Sequence, residues 1–166
     1  TVHRRENWGI NLDNIVMAIQ KIAQEIKDIY FLIPMHKNKK VRNIFKSKLC
    51  KEKNIFLIEP LNYDQQIAAI KGCYLVMTDS GGIQEEVPSL GKPVLILRSN
   101  TEREEAIVAG AAKLVGTRTE TIINSVKELI NDKKLYEKMS KAINPFGDGK
   151  ACERILDYSS QYLNSK

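Results

Sequence analysis

Cysteine is scarce in this chain and long apolar runs are absent, and each lack removes a class of protein. The three cysteines, Cys50, Cys73 and Cys152, are an odd number without metal-ligand spacing, which disfavours a disulfide framework or a structural metal site. We expect them to be packing residues of a protein from a reducing, cytoplasmic compartment. Because no apolar run approaches the roughly 20 residues of a membrane span, we expect no membrane partner.

Negative charge is in the minority, and the formal net charge of +6 raises the question of nucleic-acid binding. Most of the excess lies in two short stretches, Lys37–Arg42 and Lys46–Lys48, on one predicted helix and its approach. No aromatic residues are interleaved there for base stacking. We therefore interpret these cations as a solvated helix face and expect no nucleic-acid partner.

Helical and strand-like patterns alternate along the first two thirds of the chain. From Asn11 to Ile26 apolar residues recur at helical spacing, with Asn11 as the expected N-cap. The continuous apolar run Ile29–Ile33 is typical of a strand covered on both faces, and Pro34 should end it. The same reasoning predicts helices at 39–49, 63–71, 82–90 and 104–109, strands at 55–58, 74–78, 93–97 and 113–115, and three final helices near 120–131, 133–141 and 150–163.

Strands that alternate with helices at this spacing form right-handed βαβ units. The predicted fold class is therefore α/β, a doubly wound, Rossmann-like parallel sheet in a single domain over residues 1–166. The chain opens with Thr1 and the polar run 3–7, which resembles the end of a βα unit whose strand lies further upstream. We expect the chain to be part of a longer protein.

The run Thr78–Glu86 is the most informative local motif, since it joins a predicted strand to a predicted helix through two glycines. Gly81 and Gly82 permit a sharp turn and a close approach of the backbone to a ligand. The first N–H groups of the helix lack partners within it and carry the positive end of its dipole, which suits a phosphate. The alternative is a βα turn in which Ser80 caps the helix and nothing binds.

Four polar segments fall at the carboxyl ends of predicted strands, where ligands of parallel sheets bind. They are 3–7, 35–36, 80–82 and 98–103. His3 and Arg103 would supply cations to a diphosphate held by the backbone of 80–82, and Glu86 would reach the ribose hydroxyls. Taken alone, His3 and His36 also fit ordinary loop residues, and Arg103 also fits a surface ion pair with a neighbouring glutamate.

Several long motifs resemble the non-hydrolysing UDP-N-acetylglucosamine 2-epimerases, and the resemblance extends over nearly the whole chain. The motifs are Thr1–Asn7, Asp79–Leu95, Thr101–Arg103 and Asn144–Gly149. The resemblance implies the UDP-binding, C-terminal half of a two-domain, glycosyltransferase-B-like enzyme, homodimeric at full length, that serves cell-envelope polysaccharide synthesis. Its substrates would be UDP-GlcNAc and UDP-ManNAc, interconverted by elimination of UDP, a 2-acetamidoglucal intermediate and re-addition of UDP.

The resemblance also implies roles for single residues. The acid and base carboxylates of the family lie in an N-terminal domain that this chain lacks, so the chain alone should be inactive, and no cofactor or metal is implied. Here Glu104 replaces a proline and Gln66 replaces an aromatic residue near the uracil. The implied roles are His3 at the diphosphate or assisting UDP departure, Ser80, Gly81 and Gly82 donating to phosphate, Glu86 on the ribose, Arg103 on the phosphates, and Arg4 and His36 in a second, activating UDP-GlcNAc site.

Two other functions remain open from the sequence. One is a free-standing nucleotide-sugar-binding module whose partner half has been lost. The other is the C-terminal domain of a glycosyltransferase, which has the same architecture but transfers the sugar to an acceptor.

Overall fold

The computed structural model describes residues 1–165, which form short strands between helices. A single turn of 3-10 helix, Arg5–Asn7, precedes the first helix. In chain order the helices are α1 (Ile10–Glu25), α2 (Lys39–Leu49), α3 (Tyr63–Gly72), α4 (Gly81–Ser89), α5 (Glu104–Val108), α6 (Thr119–Asn131), α7 (Lys133–Ser140) and α8 (Ala151–Asn164), and the strands are β1 (Phe31–Pro34), β2 (Ile55–Ile58), β3 (Val76–Thr78), β4 (Val94–Ile96) and β5 (Ala112–Leu114).

All strand pairs are parallel, so the α/β prediction is confirmed, but the sheet is divided into two parts. In one part β1 pairs with β2, with Phe31 opposite Ile55. In the other β4 lies between β3 and β5, with Val94 opposite both Val76 and Ala112. The two parts face each other across β1 and β3.

Helices cover both faces of the sheet, as the βαβ connections require. On one face α1 packs between α2 and α6, and its apolar stripe, which includes Leu12, Ile15 and Ile22, is almost completely buried. On the other face α4 and α5 pack on β3, β4 and β5, around a smaller cluster that contains Val87 and Ala106. Burial of each large aliphatic side chain contributes about 1.5–3 kcal/mol, so these two clusters fix the layers.

Some element boundaries differ from the sequence expectation. Helix α1 begins at Ile10 after Gly9, whose positive φ of 86° no β-branched residue would readily adopt. The proposed cap Asn11 instead lies inside the helix and donates its side-chain amide to the carbonyl of Glu6. Strand β1 extends through Pro34, which is tolerated because its nitrogen faces away from β2.

Cysteine placement is a second correction. Cys50, which follows α2, and Cys152, on α8, are exposed, and only Cys73 is partly buried, so two of the three are not packing residues. Burial raises the pKa of the Cys73 thiol. Within residues 1–165, no helix combines the length and apolar composition needed to cross a membrane.

The first two residues lie beside β3, at the carboxyl end of the sheet. The amino group of Thr1 donates to the carbonyl of Met77 at 2.8 Å, and the amide of Asp79 donates to the carbonyl of Thr1 at 3.2 Å. Thr1 therefore pairs with β3 on the side opposite β4, and the segment that follows it reaches the turn between β3 and α4.

Candidate nucleotide-diphosphate site

Asp79, at the end of β3, joins the first loop to the βα turn. Its carboxylate is fully buried and accepts the backbone N–H groups of His3 at 3.0 Å and Arg4 at 2.8 Å. It also accepts the side-chain amide of Asn7 at 3.0 Å, and that amide donates to the carbonyl of Leu97 at 3.0 Å. A buried carboxylate needs several donors, and here they hold the loop in place over the turn.

The imidazole of His3 lies directly above this carboxylate. Its Nδ1 is 3.6 Å from the Asp79 carboxylate, and its ring stacks on that of His36 with centroids 5.3 Å apart and planes inclined by 15°. Burial, the largest effect, lowers the pKa of His3, whereas Asp79 raises it and the nearby cations lower it further; the net direction is downward. His3 is therefore expected to be neutral at neutral pH in the unliganded protein.

Two guanidinium groups meet over the first turn of α4. A methyl group placed on Gly81 would lie 3.3 Å from Nη2 of Arg4, 3.6 Å from Oε1 of Glu102 and 3.8 Å from Nη2 of Arg103. No described side chain caps this helix: Ser80 occupies the N-cap position without a capping bond, and its own amide donates to the hydroxyl of Thr78. The alternative interpretation of this turn, in which Ser80 caps the helix, is therefore met in position but not in bonding, since Ser80 is the N-cap residue and its side chain makes no capping bond. The first amides of α4 lie next to two guanidinium groups.

Carboxylates hold these cations in position. Arg103 pairs through Nε with Glu85 of α4. Arg4 is 3.6 Å from Glu102, which also accepts from the buried Arg98 at 2.6 Å. The alternative interpretation of Arg103 is an ion pair with a neighbouring glutamate; Arg103 does form an ion pair, but with Glu85 of α4.

A buried pair of polar side chains fixes the loop that carries Arg103. The hydroxyl of Thr101 donates to the side-chain oxygen of Gln84 at 2.7 Å and accepts the amide of Arg103 at 3.1 Å. Gln84 in turn donates to the carbonyl of Ser80 at 3.2 Å. These contacts connect the loop to the first turn of α4. No role for Gln84, Thr101 or Asp79 was predicted from the sequence, because their contacts with Thr101, Gln84 and the first loop join segments that are distant along the chain.

A cavity of about 290 Å³ opens beside His3. Its lining includes His36, Gln66 and the apolar residues Leu61 and Ile83. Gln66 occupies the position at which the resemblance expects an aromatic residue, and it lines this cavity next to the imidazoles of His3 and His36. Glu86 is partly buried one position beyond Glu85, and within residues 1–165 its side chain has no hydrogen bond or ion pair.

Apart from Glu86, for which no contact with the others is found among residues 1–165, the predicted site residues lie in one region. His3, Ser80–Gly82 and Arg103 converge on the turn between β3 and α4. Arg4 and His36, which the resemblance assigned to a second site, lie beside Gly81 and His3 respectively. Among residues 1–165 no group of three or more His, Cys, Asp or Glu side chains is arranged to hold a metal ion.

Comparison with known protein families decides the relationship. A family model described as UDP-N-acetylglucosamine 2-epimerase matches residues 1–159. The chain belongs to the UDP-N-acetylglucosamine 2-epimerase family. It is 46% identical over 157 residues to the UDP-N-acetylglucosamine 2-epimerase of Escherichia coli K12 and 49% identical over 157 residues to that of Campylobacter jejuni.

The epimerases of known structure have the same fold over this length. The structure of S. aureus MnaA with UDP matches with a TM-score of 0.94 and 47% identity, covering 98% of this chain and 45% of that one. The Neisseria meningitidis UDP-GlcNAc 2-epimerase bound to UDP-GlcNAc matches with a TM-score of 0.92 and 43% identity, covering 96% and 43%.

These matches confirm the family and the expected architecture, that of one part of a two-domain, glycosyltransferase-B-like epimerase. The alignments cover 95% of this chain but only 42% of the E. coli protein and 41% of the C. jejuni protein. The chain thus spans less than half the length of these curated epimerases.

Proposed function

We propose that this chain is the UDP-binding domain of an enzyme that interconverts UDP-GlcNAc and UDP-ManNAc. The observation that carries the proposal is the meeting of Arg4 and Arg103 over Gly81, at the uncapped N-terminus of α4. Backbone donors, a helix dipole and two guanidinium groups form a typical diphosphate site. The solved relatives that contain UDP or UDP-GlcNAc support the same ligand class.

The ion pairs at the site position its cations, and a diphosphate would compete with Glu102, whose Oε1 would lie 3.6 Å from a methyl group placed on Gly81, for the guanidinium group of Arg4. Glu85 and Glu102 hold the two guanidinium groups near Gly81, so little side-chain entropy remains to be lost when a ligand binds. Each guanidinium group has several N–H donors, and its glutamate partner occupies only some of them. The acceptor oxygens of a diphosphate can bind the remaining N–H groups. We infer that the amides of Gly81 and Gly82, the hydroxyl of Ser80 and the side chain of Arg103 bind its oxygens.

The uridine would lie beside the diphosphate, in the cavity next to His3. The cavity combines apolar walls at Leu61 and Ile83 with the amide of Gln66, which suits a flat, polar base. The free carboxylate of Glu86 would accept from the ribose hydroxyls. With an amide at position 66, hydrogen bonding replaces the ring stacking that an aromatic residue would provide.

His3 would act on the leaving group. Elimination breaks the bond between sugar C1 and the diphosphate oxygen and removes the proton from C2, which gives 2-acetamidoglucal and UDP. A bound diphosphate would raise the pKa of the neighbouring imidazole, so that His3 could donate a proton or hydrogen bond to the departing oxygen. The base that removes the C2 proton would come from the other domain of the full-length enzyme, a homodimer in this proposal, and the isolated chain would not epimerise UDP-GlcNAc.

Titration calorimetry with UDP tests the proposal. We expect the chain to bind UDP, and Arg103→Ala to weaken binding at least about tenfold, because a charge-assisted contact contributes roughly 1.5–3 kcal/mol. Lys127→Ala is the matched control, since it removes a cation that pairs with Glu25 on α1, away from the carboxyl ends of the strands. Folded protein that shows no heat of UDP binding, or equal losses in both variants, would contradict the proposal.

A further inference from the structure

Each guanidinium group near the first turn of α4 already has a carboxylate partner. The pairs are Arg103 with Glu85, Arg98 with Glu6 and Glu102, and Arg4 with Glu102. The buried Asp79, at the end of β3, adds a further carboxylate. Cations therefore do not outnumber carboxylates here, and a diphosphate that binds at this turn meets repulsion unless one carboxylate moves away.

Glu102 lies where a phosphate oxygen would bind. Its Oε1 is 3.6 Å from a methyl group placed on Gly81, and the Nη2 atoms of Arg4 and Arg103 are 3.3 and 3.8 Å from the same point. An oxygen of the protein itself thus shares the space over this helix N-terminus with both cations. Glu85, in contrast, lies on α4 and pairs with Nε of Arg103, which leaves Nη2 of that side chain near Gly81.

The two oxygens of Glu102 are held unequally. Oε2 accepts from Nη1 of Arg98 at 2.6 Å, whereas Oε1 is 3.6 Å from Nη2 of Arg4, which is beyond hydrogen-bond distance. Arg98 is itself fixed, since its side chain is buried and donates to both oxygens of Glu6. The carboxylate of Glu102 therefore has one firm contact and one loose contact, and the loose contact is the one next to Gly81.

The Glu102 side chain is charged and has room to move. A hydrogen bond from its own backbone amide and the ion pair with Arg98 lower the pKa of Glu102, so the carboxylate is ionised at neutral pH. The side chain is 46% exposed and lies on the loop between β4 and α5, so solvent can receive Oε1 when it leaves Arg4. Exposed ion pairs contribute little to stability, so this movement should cost the fold little.

We propose that Glu102 competes with the diphosphate for the space over Gly81 and thereby limits the affinity of the chain for UDP. In the free protein its carboxylate occupies this anion position. When a diphosphate binds, the carboxylate rotates about its contact with Arg98 and the ligand takes over the guanidinium group of Arg4. The identity of the ligand rests on the proposed function, whereas the contacts that Glu102 must give up are those of the unliganded chain.

Titration calorimetry with UDP and with inorganic pyrophosphate tests the inference. Glu102→Gln keeps the length of the side chain and an acceptor for Arg98 but removes the charge next to Arg4. We expect this variant to bind both ligands about fivefold more tightly than the unaltered chain. Glu6→Gln is the matched control, because it removes the other carboxylate partner of Arg98, and among residues 1–165 Glu6 pairs with no other cation. It should change either Kd by less than about twofold.

A second background shows whether the competition is for Arg4. In Arg4→Gln the contested cation is absent, so adding Glu102→Gln should tighten binding by less than about twofold relative to Arg4→Gln alone. An equal gain in both backgrounds would overturn the inference, because Glu102 would then act only through its general charge. If Glu102→Gln does not fold, Glu102→Ala leaves Arg98 its contacts with Glu6 and carries the same expectations.

The outcomes separate this inference from the proposed function. Folded protein that binds pyrophosphate but no UDP contradicts the proposed function, and a tighter pyrophosphate site in Glu102→Gln still supports the competition. UDP binding that Glu102→Gln leaves unchanged or weakens overturns the inference alone, because Glu102 would then support Arg4 instead of competing for it. Folded variants that bind neither ligand overturn both.

Discussion

The carboxyl-end rim of the sheet, meaning the loops at residues 3–7, 79–84 and 98–103, buries polar side chains, whereas the final helix α8 exposes apolar ones. The rim buries polar side chains such as Asp79, Gln84 and Thr101, and each has hydrogen-bond partners in the chain. Helix α8 buries none of its residues, although Ile155 and Tyr158 are large apolar groups. The difference shows that the rim is organised by contacts within this chain, whereas the packing of α8 is not.

The energetic consequences of the two regions also differ. A buried polar group is costly without its partners, so each rim contact supports the next. Helix α8 has 14 residues and gains no stability from buried side chains, and isolated helices of this length are marginally stable in water. Mutations should therefore have large effects at the rim and small ones on α8.

Asp79→Ala should have the largest effect on stability. It would leave two backbone N–H groups and one N–H of the Asn7 side-chain amide without their acceptor, which we expect to lower the free energy of unfolding by about 3 kcal/mol. Urea unfolding followed by circular dichroism measures the change. Asp132→Ala is the control, since that exposed carboxylate caps α7 through one amide and should cost about 1 kcal/mol. Similar losses in both variants would show that the rim is not held by Asp79.

Gly81→Ala should separate the ligand role of the rim from its structural role. The methyl group would lie 3.3 Å from the end of the flexible Arg4 side chain, and Gly81 has no positive φ, so the fold should tolerate alanine. The same methyl would occupy space next to the phosphate-binding amides, and we expect UDP affinity to fall about tenfold, or 1.4 kcal/mol. Calorimetry with Gly72→Ala, where a methyl meets nothing within 4 Å, is the control.

The pH dependence of stability should reveal His3. Because burial lowers the pKa of His3 in the folded state, the unfolded chain binds more protons at mildly acidic pH. Stability should therefore rise with pH up to the ordinary histidine value of about 6.5 and gain nothing more from His3 above it. The contribution should be below about 1 kcal/mol, since the ring is one-third exposed.

Urea unfolding of the unaltered chain and of His3→Gln over this pH range isolates that contribution. The Thr1 amino group, whose pKa burial also lowers, is present in both proteins. A difference that does not change between about pH 5 and pH 7 would contradict the expected titration.

Local patterns predicted most of the fold because their causes are local. Helix α2 and strand β2 match the expected 39–49 and 55–58 to the residue. For α2 the reason is the Asn38 side chain, which accepts from Lys40 and sets the first turn. The observed ends of a strand differ from the predicted ones where pairing with a neighbouring strand sets them. Strand β3 begins at Val76 instead of Tyr74, because Val76 is the first residue to pair with β4.

The sequence was less informative about contacts between distant segments. Motifs indicated that His3, Gly81 and Arg103 belong to one region, and the structure brings them together. Nothing local indicates that Asp79 accepts from residues more than 70 positions away, or that Arg103 pairs with Glu85 instead of its neighbours. Periodicity likewise identifies strands but not which edges meet, so it did not predict the pairing order β3, β4, β5.

The smallest effect is expected on α8, and a matched pair of isoleucines measures it. Ile155 is 63% exposed and Ile15 is 0% exposed. Truncation to alanine therefore deletes the same carbon atoms from a solvent-exposed surface in one variant and from a packed core in the other. Ile155→Ala should change the free energy of unfolding by less than about 0.5 kcal/mol, and Ile15→Ala should lower it by about 3 kcal/mol. If Ile155→Ala proves costly in urea unfolding, α8 packs on a surface in solution. The contrast between rim and α8 would then be wrong.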